Sequence, residues 1–419
     1  MGGRDIAARM RLDGPFSAAR FEYLLTAQQL VFGKTVISNV KAKGEGRAAK
    51  GGPMLIPVSL TASKLEGQGD LAASIVRNFA LDGVLQFQDG KITSTPMKVR
   101  GDKLKGDLIV IADLGKGTYD VGLNGRIDGL FIQGLGIVDL QTNVRAVPDA
   151  KGAFTLAGKA AAVMRRLDNG FLSTLAGGLP RLTTDLSLGA DARLMLRNLR
   201  IDAPQLKLTA NGYRRTDGTF NFTGAGTHSK YGPLKLALDG RIERPKVDLV
   251  LERPFDAAGL KDVAVHLDPD AQGFVLTTNG QSILGPFDGN GRILLPQGGN
   301  AVIAVDRLSV DGVTASGQLT AVTGGLQGQL DLKGSVTGTV ALNPVNGVQQ
   351  LQTELQARDA VFDGPPALAV RRARLSATII LDPSGTNMDA TLQARGIRVG
   401  TMQIGRLAAN AKLVDGTGT

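Results

Sequence analysis

Residues 301–342 read AVIAVDRLSVDGVTASGQLTAVTGGLQGQLDLKGSVTGTVAL, and apolar residues fall at nearly every second position. This period of two is typical of β-strands that turn one face to an apolar surface and the other to water. Asp311-Gly312 and Gly324-Gly325 interrupt the alternation, and these residues supply the positive φ angles of tight hairpins. The stretch therefore predicts about five short antiparallel strands.

The apolar positions of this stretch are the candidate site residues. We predict that they line one apolar groove, because residues two apart along paired strands share a face. No residue type suited to catalysis occurs among them, which favours a binding or structural role over an enzyme. The candidates are Ile303, Val305, Leu308, Val310, Val313, Leu319, Leu326, Leu330, Leu332, Val336 and Val340.

The composition of the 419-residue chain indicates a folded β protein with few bulky side chains. It contains 56 Gly, 4% aromatic residues and no Trp, while 42% of its residues are hydrophobic. A hydrophobic fraction of this size argues against disorder. A thick two-sheet core is hard to fill with so few aromatic residues, so a thin layer or an open apolar surface is expected.

Several classes of site are excluded by what the sequence lacks. The absence of Cys removes disulfides, thiolate metal sites and Cys nucleophiles. His228 and His266 are the only histidines, neither has a second ligand at metal-binding spacing, and both are predicted to face solvent. Leu114-Gly-Lys-Gly117 lacks the upstream Gly and following Ser or Thr of a phosphate-binding loop. Asp268-x-Asp270-x-x-Gly273 fits a hairpin turn better than a calcium loop, and no cofactor is predicted.

Loose self-similarity predicts an array that grows in one direction. The units LRIDAPQLKLTANG (199–212) and LSVDGVTASGQL (308–319) share two short apolar pairs followed by a Gly-containing strand. No Pro/Ser-rich linker divides the chain, so we predict one elongated β body over residues 1–419. Helical interruptions are predicted near 62–79 and 160–175, where apolar residues recur every fourth position. The start has no apolar signal segment, and we expect a fragment of a longer protein.

The net charge of +10 raises the question of anionic partners. Basic residues cluster at 41–50 (Lys41, Lys43, Arg47, Lys50), at 98–105 (Lys98, Arg100, Lys103, Lys105) and at Arg371, Arg372 and Arg374. Such clusters suit solvated sheet edges, phospholipid headgroups or nucleic acid. Nucleic-acid binding usually adds aromatic platforms or a recognition helix, neither of which is visible here, so no nucleic-acid partner is predicted.

The style of these repeats resembles the TamB/AsmA-like family of envelope-spanning proteins. The resemblance rests on LRIDAPQLKLTANG, LSVDGVTASGQL and GGLQGQLDLKGSVTGTV, and above all on LKLTANGYRRTDGTFNFTGAGTHSKYGPLKLALDGRI within residues 205–250. It implies an all-β fold: an elongated, curled antiparallel or mixed sheet that forms an open, taco-like trough with an apolar inner groove and one or two short helices. The chain then corresponds to an interior segment, without the family's N-terminal anchor.

The function that this resemblance implies is non-enzymatic, bridge-like transfer of phospholipid between inner and outer membranes. The expected location is the periplasm of a Gram-negative bacterium, with the full-length protein anchored in the inner membrane. The implied partners are phospholipids and an outer-membrane barrel protein similar to TamA. Two alternatives stay open: a periplasmic scaffold or chaperone for outer-membrane protein assembly, and a β-solenoid or adhesin-type structural protein with a closed core.

Overall fold

A computed structural model describes residues 2–15, 18–32, 35–48, 52–66, 75, 77–148, 154–189, 191, 193–255, 259–362, 367–382, 385–414 and 417–418. The described part of the chain is almost entirely β-strand, with one short helix, which confirms the all-β prediction. It divides into two compact units, Met1–Gly226 with Arg241–Glu243, and Thr227–Gly240 with Arg244–Thr419. The prediction of a single elongated body stays a prediction.

The first half of the chain runs through these elements in order: β1 Gly2–Arg4, β2 Ala7–Asp13, β3 Arg20–Phe32, β4 Thr35–Arg47, β5 Met54–Glu66, β6 Arg77–Gln88, β7 Lys91–Ser94, β8 Met97–Arg100, β9 Leu104–Asp113, β10 Thr118–Ile132, β11 Gly136–Pro148, β12 Phe154–Leu167, α1 Gly170–Ala176, β13 Arg181–Leu188, β14 Leu194–Asp202 and β15 Leu206–Arg214.

The second half continues with β16 Phe220–His228, β17 Gly232–Arg241, β18 Arg244–Leu251, β19 Lys261–Pro269, β20 Gly273–Ser282, β21 Gly285–Leu294, β22 Val302–Val310, β23 Val313–Val322, β24 Gly325–Gly334, β25 Val336–Val345, β26 Val348–Phe362, β27 Leu368–Asp382, β28 Gly385–Val399, β29 Met402–Val414 and β30 Thr417–Gly418.

The topology inside each unit is an antiparallel meander. From β3 to β6, from β9 to β15 and from β18 to β30, each strand pairs with the next along the chain. The short strands β7 and β8 together lie between β6 and β9. All pairs described within the units are antiparallel, so the described strands form an antiparallel and not a mixed sheet.

Turn chemistry explains how the strands reverse. Asp311 and Gly312 have φ values of 47° and 75°, and Val310 pairs directly with Val313 around them. Two positive φ angles are the signature of a type I′ hairpin, which suits the right-handed twist of the strands. The same geometry occurs at Asp89-Gly90, where φ is 49° and 73°. The turn at Asp311-Gly312 confirms the prediction from sequence.

Three asparagines adopt left-handed backbone conformations within the strands. Asn39, Asn78 and Asn198 have φ of 51°, 47° and 51°, in a region that Asn tolerates better than most residues. Each donates a hydrogen bond from its side-chain amide: Asn39 to Ser63 Oγ at 2.9 Å, Asn78 to Asp102 Oδ1 at 3.0 Å and Asn198 to Asp185 Oδ2 at 2.9 Å. At Asn198 the pairing of β14 shifts against both β13 and β15, which identifies a β-bulge there.

The predicted helix at 160–175 is wrong for most of its length. Residues up to Leu167 belong to β12, which pairs with both β11 and β13. Its Ala-rich sequence is compatible with the period of a helix and with that of a strand. Pairing with β11 and β13 on its two sides stabilises the strand. The helix α1 begins only after Asn169, whose side chain caps Leu172 N at 3.0 Å. The Asn169-Gly170 pair therefore starts the helix.

The predicted helix at 62–79 is also largely replaced by strand where it is described. Ala62–Glu66 belong to β5 and Arg77–Phe79 to β6. Residues 67–74 and 76 lie outside the described residues, and Ile75 between them is helical.

Small clusters of apolar side chains form the core of each unit. One cluster in the first unit joins Val99, Leu104, Ile127, Leu130, Val138 and Met164. Nearby, Met97 is 2% exposed and lies against Gly83, where a Cβ would meet Met97 Cγ at 2.3 Å. In the second unit a smaller cluster joins Val370, Ala394 and Ile397. Apolar burial is therefore spread along the sheet in thin layers.

Candidate functional site

The candidate site residues lie on four consecutive strands, β22–β25, of the second unit. Directly paired residues of an antiparallel sheet point to the same side. The register pairs Ile303 with Leu319, Val310 with Val313, and Leu330 with Val340. The remaining strand pairings place all eleven candidates on the same side of the sheet, which we call the apolar face.

The apolar face continues beyond the predicted residues, across β26–β29. Three rows of directly paired residues cross all eight strands from β22 to β29. The first row is Ile303, Leu319, Gly328, Leu342, Leu351, Ile379, Met388 and Leu413; the second is Val305, Gly317, Leu330, Val340, Thr353, Ala377, Ala390 and Ala411; the third is Leu308, Ala315, Leu332, Gly338, Leu355, Leu375, Leu392 and Ala409. None of these side chains carries a charge.

The opposite side of the same strands, which we call the polar face, has a different composition. One of its rows is Ser316, Asp331, Thr339, Glu354, Ser376, Thr391 and Asn410. Gln318 and Gln329 pair on this face and are exposed. The sheet therefore separates an uncharged apolar side from a hydrophilic side over the seven strands β23–β29.

Most of the predicted site residues remain partly accessible to solvent. Val313 and Leu319 are buried, with 8% and 6% exposure, whereas the other nine are half-buried. A closed core would bury central leucines such as Leu330 and Leu332 almost fully. Partial accessibility of these residues leaves apolar surface available for a ligand.

Glycines alternate with the large residues on the apolar face. Gly328 lies between Leu319 and Leu342, and Gly338 between Leu332 and Leu355. A Cβ at Gly328 would meet the carbonyl oxygen of Gln318 at 2.1 Å, and its φ is 150°, a region that is essentially restricted to glycine. Leucine side chains therefore stand beside gaps with no side chain, which gives the face a relief of ridges and hollows.

Sequence reasoning missed the extension of the face into β26–β29. The signal was present in LQTELQA (351–357) and ARLSATII (373–380), which alternate as strictly as the stretch at 301–342. It also missed the irregularity in β22, where pairing with β23 shifts between Val305 and Leu308. The adjacent polar residues Asp306 and Arg307 mark this bulge in the sequence.

The prediction that both histidines face solvent is wrong for His228. Its side chain is 3% exposed and stacks on Tyr231 with ring centroids 4.6 Å apart. Its Nδ1 accepts a hydrogen bond from the backbone N of Lys230 at 3.1 Å, so the ring is buried as part of a turn. His266 is partly exposed and pairs with Asp248 on the neighbouring strand.

The turn prediction for Asp268-x-Asp270-x-x-Gly273 is confirmed. Asp270 Oδ1 accepts hydrogen bonds from the backbone N of Gln272 at 2.8 Å and of Gly273 at 2.7 Å, as expected for an Asp-initiated turn. Asp268 instead pairs with Lys246 at 2.9 Å. Among the described residues, no group of three or more His, Asp or Glu side chains could hold a metal ion.

The basic cluster at 98–105 is partly neutralised by neighbouring carboxylates. Lys98 pairs with Asp107 at 2.6 Å, and Arg100 with Asp82 at 2.7 Å. The hydrogen bond from Arg100, followed by one from Ser59, holds the pKa of Asp82 below its ordinary value. In this cluster, at least two of the cations therefore serve cross-strand pairing.

Within the described parts of the chain, no helix has the length and apolar character needed to cross a membrane. In the comparisons with known proteins, no family model matches the chain and no curated protein matches it.

Proposed function

We propose that the chain is a non-enzymatic lipid-transfer segment that carries phospholipid acyl chains along the apolar face. The single observation behind this proposal is the uncharged, partly accessible face that crosses β22–β29. Neighbouring strands lie about 4.8 Å apart, so eight strands give a face about 34 Å wide. The 34 Å are measured across the strands, in the direction in which successive strands are added to the sheet.

The area of the face supports binding of an apolar ligand. Three rows spaced two residues apart span about 14 Å along the strands, so they alone cover roughly 480 Å². Apolar patches of this size on soluble proteins are often binding surfaces. An acyl chain that leaves water gains about 0.8 kcal/mol for each buried CH₂, without needing any directed polar contact.

The chemistry of the face favours movement of a ligand along it over capture at one point. Its three rows contain no charged side chain, and Thr353 is their only hydroxyl. Fixed orientation in a ligand pocket normally comes from a few placed polar groups. A surface of Leu, Val, Ile, Ala and Gly offers similar contacts at successive positions, as a conduit requires.

The cellular setting belongs to the same proposal and rests on the family resemblance. A TamB/AsmA-like segment works in the periplasm, between an inner-membrane anchor and a barrel partner similar to TamA in the outer membrane. A cysteine-free chain is compatible with that compartment, because no disulfide can mispair there.

Site-specific photo-crosslinking in cells with labelled phospholipid tests this function. Probes replace Leu330 and Val340, which pair on the apolar face, or Gln329 and Ala341, which pair on the polar face of the same strands. Lipid adducts at the first pair alone are expected. Adducts at neither pair contradict the proposal and favour a closed core, and adducts with a barrel protein at Leu330 favour the assembly scaffold.

A charge substitution provides the functional readout. Leu330→Asp places a carboxylate on the apolar face, where desolvation beside acyl chains is costly, whereas Gln329→Asp places it on the exposed polar face. Transfer of fluorescent phospholipid between two vesicle populations should fall for the first variant only, with the far-ultraviolet circular dichroism of both unchanged. Equal transfer by both folded variants refutes the conduit.

A further inference from the structure

Four arginines lie side by side across β26–β29 of the second unit. Arg358 pairs directly with Arg372, Arg372 with Arg395, and Arg395 with Arg406. We call this row the arginine rung. All four side chains are exposed, and the flanking Gln356, Arg374 and Gln393 continue the polar face. Like charges directly opposite each other destabilise a sheet, so a row of four has an energetic cost.

No carboxylate offsets this cost in the described part of the chain. None of the four guanidinium groups lies within ion-pair distance of an acidic group there, in contrast to arginines of the first unit. Arg100, Arg126 and Arg165, for example, pair with Asp82, Asp128 and Asp139 at 2.7, 2.5 and 2.5 Å. The rung is thus a basic surface with unused donor capacity.

Further arginines enlarge this surface. Arg371, Arg374 and Arg398 are also exposed, and within the described residues they likewise lack an ion pair. Arg371 and Arg398 line a concavity of about 460 Å³, together with Gly396, Gly405 and Asp359. Gly396, with φ of 63°, occupies the left-handed region, and a Cβ there would lie only 3.0 Å from Arg371 Cβ.

The arginine side chains of this surface favour phosphate as a ligand. Guanidinium is planar and weakly hydrated, and it binds phosphate oxygens with two parallel hydrogen bonds. The surface contains seven arginines and no lysine, so bidentate recognition is available at each cation. Four neighbouring strands place the rung over about 14 Å, which is wide enough to contact several phosphates at once.

We propose that the arginine rung binds the phosphate headgroups of an anionic lipid surface. Polar-face residues around it offer no aromatic side chain for stacking bases in the described strands, which makes nucleic acid the weaker fit. The proposal goes beyond the lipid-transfer function and does not rest on it. The rung belongs to the polar side of the sheet, so it would hold the segment against a membrane while leaving the apolar face free.

Vesicle co-sedimentation of the full 419-residue chain tests the rung. The vesicles contain phosphatidylcholine alone or phosphatidylcholine with about a third of phosphatidylglycerol, at low and physiological salt. Partitioning onto anionic vesicles should exceed that onto neutral vesicles and decline with salt. Each arginine at an anionic membrane surface contributes about fivefold in partitioning, so removing all four should lower it by at least ~10-fold.

The test variant and its control remove equal charge from different places. The variant is Arg358→Gln, Arg372→Gln, Arg395→Gln and Arg406→Gln together; the control is Arg100→Gln, Arg126→Gln, Arg145→Gln and Arg165→Gln together. The control arginines are all ion-paired on the first unit, so its partitioning should change far less. If the quadruple variant fails to fold, Arg372→Gln or Arg395→Gln alone should still lower partitioning about fivefold.

Three outcomes overturn the proposal. Equal loss in variant and control means that net charge alone attracts the chain. Equal wild-type binding to neutral vesicles means that the apolar face makes the contact. Tighter binding to a single-stranded oligonucleotide than to anionic vesicles, lost in the rung variant, reassigns the surface to nucleic acid. Crosslinking of lipid at Leu330 is unaffected by all three outcomes, so failure here is distinguishable from failure of the transfer function.

Discussion

Gly328→Ala tests whether the relief of the apolar face depends on glycine backbone geometry. Gly328 has φ of 150°, and an added Cβ would lie 2.1 Å from the carbonyl oxygen of Gln318 on the paired strand. A residue with a side chain costs about 1–3 kcal/mol in such a conformation, and alanine recovers about 0.4–1 kcal/mol through the unfolded chain. With the added contact to a backbone atom that cannot move freely, we expect a net loss of about 2 kcal/mol.

Hydrogen exchange measures this loss of stability at individual amides. A local measurement is needed because a meander need not unfold as one unit. A loss of about 2 kcal/mol accelerates exchange about 30-fold, and the change should be confined to amides of β23–β25. The matched control is Gly405→Ala in β29, where a Cβ would meet nothing within 4 Å, and its exchange should change little. Unchanged exchange in Gly328→Ala, or equal changes in both variants, would refute the reasoning.

Three further predictions concern the first unit. Met97 is 2% exposed, so Met97→Ala should lower the free energy of unfolding by about 2–5 kcal/mol, measured by hydrogen exchange in β6 and β8; Met10→Ala, at a 65% exposed position, should change it by less than about 0.5 kcal/mol. Arg100→Gln should raise the lowered pKa of Asp82 toward its ordinary value in a carboxyl NMR titration. The stabilisation by this carboxylate is present above the unfolded pKa and is lost as pH falls through the lower folded pKa, so wild type should lose more stability in acid than the variant; an unchanged Asp82 pKa would count against the pair. Asn198→Ala should cost about 1 kcal/mol because Asn198 has φ of 51°, and Asn198→Gly should recover most of it; equal unfolding free energies of the Ala and Gly variants would contradict the role of the left-handed backbone.

The strand pattern was predictable because it depends on local sequence. Alternation in the stretch at 301–342 fixes which side chains share a face, and Asp311-Gly312 fixes the register between β22 and β23. A hairpin register determined by a two-residue turn needs no distant partner. The shared face of Ile303 and Val305 with Leu308 and Val310 also depends on the bulge between Val305 and Leu308, which strict alternation does not predict.

Features that depend on neighbouring strands were not predictable in this way. Ala160–Leu167 fits a helix as well as a strand, and pairing on both sides decides the outcome. The burial of His228 follows from its turn and from Tyr231. The arginine rung joins four strands from four places in the sequence, so only Arg371, Arg372 and Arg374 appeared as a cluster.

The meander topology has a consequence for how such a chain changes in length. Among the described residues, each strand from β19 to β29 pairs with its sequence neighbours and with no other strand. None of these strands is therefore threaded between distant parts of the sequence. Duplicating or deleting one hairpin adds or removes two strands, about 10 Å of sheet, and preserves both the direction of the next strand and the side on which its apolar residues lie. The width of such a sheet can therefore change during evolution in steps of one hairpin, without a redesign of the remaining strands.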